Sequence, residues 1–169
     1  LFDGRIFTEI EEDKGQYEDI APIFWTSGAA MFLRKSALEE SGLLDETIVH
    51  HMDEIDLCWR LINSGKKIFY TSKSTVYHVG GGTLSKQSAE KTYLNIRNNL
   101  SMLLKNLPFP KLIWLIFFRL CLDAIAGIYF GLKNGFPHFW AVVRAHFGFY
   151  RQLPQTLKLR QKHQQKNYY

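Results

Sequence analysis

Cysteine is nearly absent from this 169-residue chain. Only Cys58 and Cys121 occur, at no metal or redox spacing, which excludes a disulfide scaffold and reads as two buried thiols in a reducing compartment. Glycine (12) and proline (5) are too sparse and aperiodic for a collagen-like or low-complexity chain, and 46% hydrophobic residues with 22% charged exclude disorder. No internal repeat and no N-terminal signal pattern is present. Acidic residues are missing altogether after Asp123. Residues 105–169 hold ten Lys or Arg against one acidic side chain, whereas residues 1–104 hold 11 basic and 15 acidic. A basic segment rich in aromatic and aliphatic residues points to an anionic surface. Its cations alternate with large apolar groups rather than forming an open polar patch, which favours a membrane over nucleic acid. The first residue is Leu1, so the chain is expected to be a piece of a longer polypeptide.

Residues 1–20 read as an entering loop. A buried strand is expected around Ala29–Arg34, then a short helix from Lys35 to Ser41 stopped by Gly42. From Asp53, the apolar residues Ile55, Cys58, Trp59 and Ile62 fall on one helical face, with Gly65 as the stop. The acidic cluster Asp53, Glu54 and Asp56 crowds the first turn of that helix, where the dipole and unpaired N–H groups favour negative charge. Two β-rich runs, Lys67–Thr71 and Thr75–Val79, read as strands, and Gly80-Gly81-Gly82 ends the second. A helix is expected from near Lys86 to Leu107, ended by Pro108 and Pro110. Lys111–Leu132 is long enough to span a bilayer. Arg119 and Asp123 near its centre oppose a single span unless they pair, as their i,i+4 spacing allows. Beyond it, basic and aromatic residues interleave as in an interfacial amphipathic helix.

Chemistry concentrates in Asp53, Glu54, Asp56 and His78. One carboxylate can serve as a general base, and a neutral imidazole can bind a divalent metal. Spacing alone favours the plainer alternative, a capping Asp53 or Asp56 and a core His78.

The string HMDEIDLCWRLINSGKKIFYTSKSTVYHVGGGT, with WTSGAAMFLRKSALEESGLLDE before it, resembles the C-terminal half of the catalytic domain of family 2 glycosyltransferases over about residues 24–107. That resemblance implies an α/β fold: the C-terminal part of a GT-A (Rossmann-like) domain in residues 1–107, followed by a mainly helical, membrane-associating tail in 108–169. It implies inverting transfer from a nucleotide-sugar donor, and the basic, apolar tail places the acceptor, a saccharide or lipid-linked saccharide, at the cytoplasmic face of the plasma membrane. The acidic pair is then Asp53-Glu54, with Glu54 the preferred base and Asp53 the alternative, because the order departs from the family's usual Glu-Asp. His78, 24 residues beyond Glu54, becomes the ligand of a divalent Mn2+ or Mg2+ on the donor diphosphate. Trp25 and Gly28 border the acceptor cleft, Asp56 orients, and Gly80 and Gly81 close on the diphosphate. The family's donor-side D-x-D motif does not occur in these residues, nor does the Q-x-x-R-W motif of processive synthases. The competing reading is a non-catalytic membrane-binding module in which the acidic cluster and His78 are structural.

Overall fold

The computed structural model describes residues 14–77 and 88–166. Their elements run β1 (Ala21–Ile23), α1 (Lys35–Ser41), α2 (Asp53–Asn63), β2 (Ile68–Tyr70), α3 (Ala89–Asn106), α4 (Phe109–Asn134) and α5 (Phe136–Lys166). The one sheet among them pairs β1 with β2 antiparallel, Pro22 opposite Phe69. Among the described residues the chain is thus mainly helical, and the wider α/β domain stays an expectation.

The expected strand at Ala29–Arg34 does not form. The Ser27 hydroxyl accepts the Ala29 N–H at 3.3 Å and starts a 3-10 turn over Gly28–Ala30, and no other strand among the described residues lies beside Met31–Arg34. Thr75–Tyr77 is likewise outside any strand, and the rest of that run, His78 and Val79, lies outside the described residues. Helix α3 starts at Ala89, where Ser88 caps it by accepting the Lys91 N–H at 3.2 Å. Pro108 and Pro110 end α3 but also start α4, whose first turn tolerates proline because its N–H groups have no partner anyway.

The apolar core lies between α3, α4 and α5, centred on Ile96, Leu100, Leu104, Leu112, Val142, Ala145 and Phe149. Gly127 admits Val142, and Gly131 admits Phe139 so closely that a Cβ there would sit 3.0 Å from the Phe139 Cβ. Arg160 of α5 donates to the carbonyls of Leu104 and Leu107, satisfying the C-terminal end of α3. Helix α4 is inverted relative to a soluble amphipathic helix. Arg119 and Asp123 face inward, paired at 2.9 Å with His146 of α5 3.3 Å from Asp123, while Trp114, Phe117, Phe118, Ile125, Ile128 and Leu132 face out. Cys121 lies on that outer face and is exposed, whereas Cys58 is buried. A segment apolar on nearly every side gives no period from which to read its inner face, which is why Cys121 reads as buried in the sequence.

Candidate active site

Helix α2 carries the acidic cluster, and its orientation is set from below. Asp56 points into the interior, fully buried. It accepts Arg60 Nε at 3.0 Å, Lys105 Nζ at 2.9 Å and Asn106 Nδ2 at 2.8 Å. Lys105 also pairs with Asp45. Burial opposes ionisation of Asp45, but Lys105 and the Thr47 hydrogen bonds outweigh it and hold its carboxyl below the usual range. Arg60 donates onward to the carbonyls of Ser41 (2.7 Å), Gly42 (2.9 Å) and Leu43 (2.9 Å), closing the end of α1. Two carboxylates and two cations thus fasten α1, α2 and α3 together. His163 of α5 reaches this group, and burial first, then Arg60 and Lys105, push its imidazole down to about 4. Asp56, expected to cap the helix and touch substrate, instead spends its oxygens on this anchor.

Glu54, two residues before Asp56 and so about 200° around the helix from it, faces the other way and is half-buried, with half-buried Asp53 beside it at the helix start. Burial, then the hydrogen bond and charge of neighbouring Asp53, raise the Glu54 carboxyl to about 7. The segment 24–28 runs over this turn. Phe24 packs edge-on against Trp59 with centroids 5.5 Å apart, and a Cβ on Gly28 would lie 4.0 Å from the Glu54 Cβ. Trp25 is half exposed beside it. The structure therefore brings together Asp53, Glu54, Gly28 and the Trp25 segment. His78, Gly80 and Gly81 lie outside the described residues.

Sequence reasoning missed the device that delivers α2. His50, His51 and Met52 all take left-handed backbone angles, with φ of 53°, 69° and 71°. None is glycine, and each such residue costs about 1 kcal/mol. Buried Asn98 of α3 holds this turn by donating its Nδ2 to the carbonyls of Val49 (3.1 Å), His50 (2.9 Å) and His51 (3.0 Å). The signal was present as two asparagines, Asn98 and Asn99, wedged between Ile96 and Leu100 on a helix that packs on its neighbours. Replacing Asn98 with alanine is expected to destabilise the chain by about 1 to 3 kcal/mol, since the hydrogen bonds that hold a turn of positive φ lose their buried donor. Urea unfolding measures it, and a loss under about 0.5 kcal/mol, the range of an uninvolved surface change, would show that the turn holds itself.

Among the described residues no group of three or more His, Cys, Asp or Glu side chains is placed to hold a metal ion. No family model and no solved structure matches the chain. It is similar to the pre-mycofactocin glycosyltransferase of Mycobacterium tuberculosis, in strain CDC 1551 / Oshkosh and in strain ATCC 25618 / H37Rv. Each comparison gives 38% identity over 72 residues, 39% of this chain, and the match spans 15% of the relative's length. The chain is thus related, over that stretch, to a glycosyltransferase.

Proposed function

We propose, proceeding from that relationship, that the chain is the acceptor-side part of an inverting, family 2-type glycosyltransferase of GT-A fold that works at a membrane surface. The observation that carries the reading is the Asp53-Glu54 pair, half-buried at the head of a helix whose other acidic residue is locked into the interior. Glu54 takes the proton of an acceptor hydroxyl, and the freed oxygen attacks the anomeric carbon of the donor. The bond from that carbon to the diphosphate oxygen breaks, and the nucleoside diphosphate leaves with the electron pair. A carboxyl near 7 suits a general base, being ionised often enough to act and basic enough to take the proton. Asp53 raises its neighbour's basicity, and Gly28 leaves space above Glu54 for the acceptor. A divalent metal, when bound, supplies positive charge for the departing diphosphate. The described residues offer no such site by themselves, and His78 is the residue to which the family resemblance assigns it.

The tail supports a membrane setting. Helix α4 is long and apolar enough to cross a membrane by length and composition, and both charges near its centre are turned inward and paired. That pairing offsets the cost that opposes burial of this face in lipid, and the outward face presents only apolar groups along most of its length. The acceptor is then a saccharide or a lipid-linked saccharide presented at that surface. A plain membrane-binding module accounts for α4 but gives no reason for the arrangement around Glu54.

The test is direct. The complete polypeptide to which the chain belongs, incubated with Mn2+ or Mg2+, membrane lipid extract and a panel of radiolabelled nucleotide sugars, is expected to release nucleoside diphosphate and transfer label. The new glycosidic bond should have the anomeric configuration opposite to the donor's. Absence of transfer with every donor, or retention of configuration, contradicts the reading.

A further inference from the structure

Between α3 and α5, on the side of α3 that leads into the Asn98 clamp, lies an open cavity of about 500 Å³ whose walls include Tyr93, Arg97, Arg144, Phe147, Arg151 and Gln152. Its charge is lopsided. Arg97 and Arg144 both stack on the Tyr93 ring, their guanidinium carbons 5.3 and 4.9 Å from its centroid, and Arg151 adds a third cation. Arg144 has a carboxylate near it, Glu90 at 3.7 Å, itself half exposed. Arg97 is held in place, with Nε and Nη2 donating to Asn98 Oδ1 at 3.0 and 2.8 Å and Nη2 also to the Thr47 carbonyl at 3.4 Å. The cavity floor depends on Gly148, where a Cβ would lie 2.7 Å from the Tyr93 hydroxyl and 3.3 Å from Arg97 Cδ. Guanidinium groups crowded on one ring repel each other, and a multivalent oxyanion placed among them converts that repulsion into charge-assisted hydrogen bonding.

The rim says how such an anion would arrive. Trp140, Arg144, Phe147 and Arg151 follow one another at spacings of four, three and four along one exposed face of α5, with Phe147 69% exposed. Large aromatics alternating with arginines suit the boundary between acyl chains and headgroups, where rings enter the apolar layer and guanidiniums meet phosphate.

We propose that this cavity binds a phosphate group carried on a lipid, Arg144 and Arg151 gripping its oxygens and Phe147 lying along the start of its chain. The lipid part rests on the membrane reading of the tail given above; the phosphate part does not. A soluble short-chain phosphatidic acid, titrated calorimetrically into the 169-residue chain, should bind saturably and at least ten-fold more tightly than inorganic phosphate. The R144Q/R151Q double variant, altered only at exposed positions and checked for retained helicity by circular dichroism, should lose at least ten-fold of that affinity. Unchanged binding in the double variant, or no saturable binding to wild type, overturns the proposal. Equal affinity for inorganic phosphate and the lipid also overturns it, assigning the cavity to a free phosphate. Co-sedimentation with neutral phosphatidylcholine vesicles separates the two readings. A chain that ignores those vesicles yet binds short-chain phosphatidic acid through the arginines upholds this proposal while contradicting membrane contact through α4.

Discussion

Asp56→Ala is expected to lower the stability of the chain by about 3 to 5 kcal/mol, the cost of breaking a buried ion pair from one side. Asp56 is fully buried and receives Arg60, Lys105 and Asn106 at once. Removing its carboxylate leaves two buried cations, of which Lys105 keeps Asp45 as its counter-charge. Arg60 would still reach the carbonyls at the end of α1, but with its charge uncompensated. The denaturant midpoint of the purified chain reads the loss. A loss under about 1 kcal/mol, ordinary for any substitution, would show that the cluster is not an anchor.

Glu54→Gln is expected to leave donor binding intact and cut turnover by about a hundred-fold or more, the usual consequence of removing a general base. The amide keeps the size of the side chain and its place under Gly28 but cannot take the acceptor proton. Stability should move the other way. Folding raises the Glu54 carboxyl from its ordinary 4.5 to about 7, so the folded chain holds this proton more tightly than the unfolded chain. The contribution is fully favourable below the unfolded value and is lost as pH rises through the folded one. The glutamine variant, which has no proton to lose, should therefore be stabilised relative to wild type at pH 8 more than at pH 5. Loss of activity in Asp53→Asn with Glu54→Gln still active would move the base to Asp53.

Much of this arrangement was legible in the sequence. Gly42 and Gly65 marked where helices stop, the acidic run marked where α2 begins, and the i,i+4 spacing of Arg119 and Asp123 foretold their pairing. These are local signals, each written within a few residues. What escaped depends on distant partners. Met31–Arg34 has the apolar character of a strand, but a strand needs a neighbour, and the neighbour of β2 is Ala21–Ile23, a segment too short, with a proline at its centre, to show a strand period. The role of Asn98 is fixed by carbonyls 47 to 49 residues away, and nothing in His50-His51-Met52 announces left-handed backbone. Asp56 looked like a companion of Asp53 and Glu54 because the three are adjacent in sequence. Two residues past Glu54, about 200° around the helix, it points to the other side, where Lys105 and Asn106 wait on α3.

If Glu54, tuned by burial and by Asp53, is the base of a sugar transfer, the pH dependence of kcat/KM must carry its signature, because that quantity reports the free enzyme's essential groups. The complete polypeptide should gain activity as pH rises, with an inflection near 7. Asp53→Asn should shift that inflection downward, since it removes the neighbouring negative charge that helps to raise it. A profile flat from pH 5 to 8, or an inflection that stays put in Asp53→Asn, would contradict Glu54 as the base.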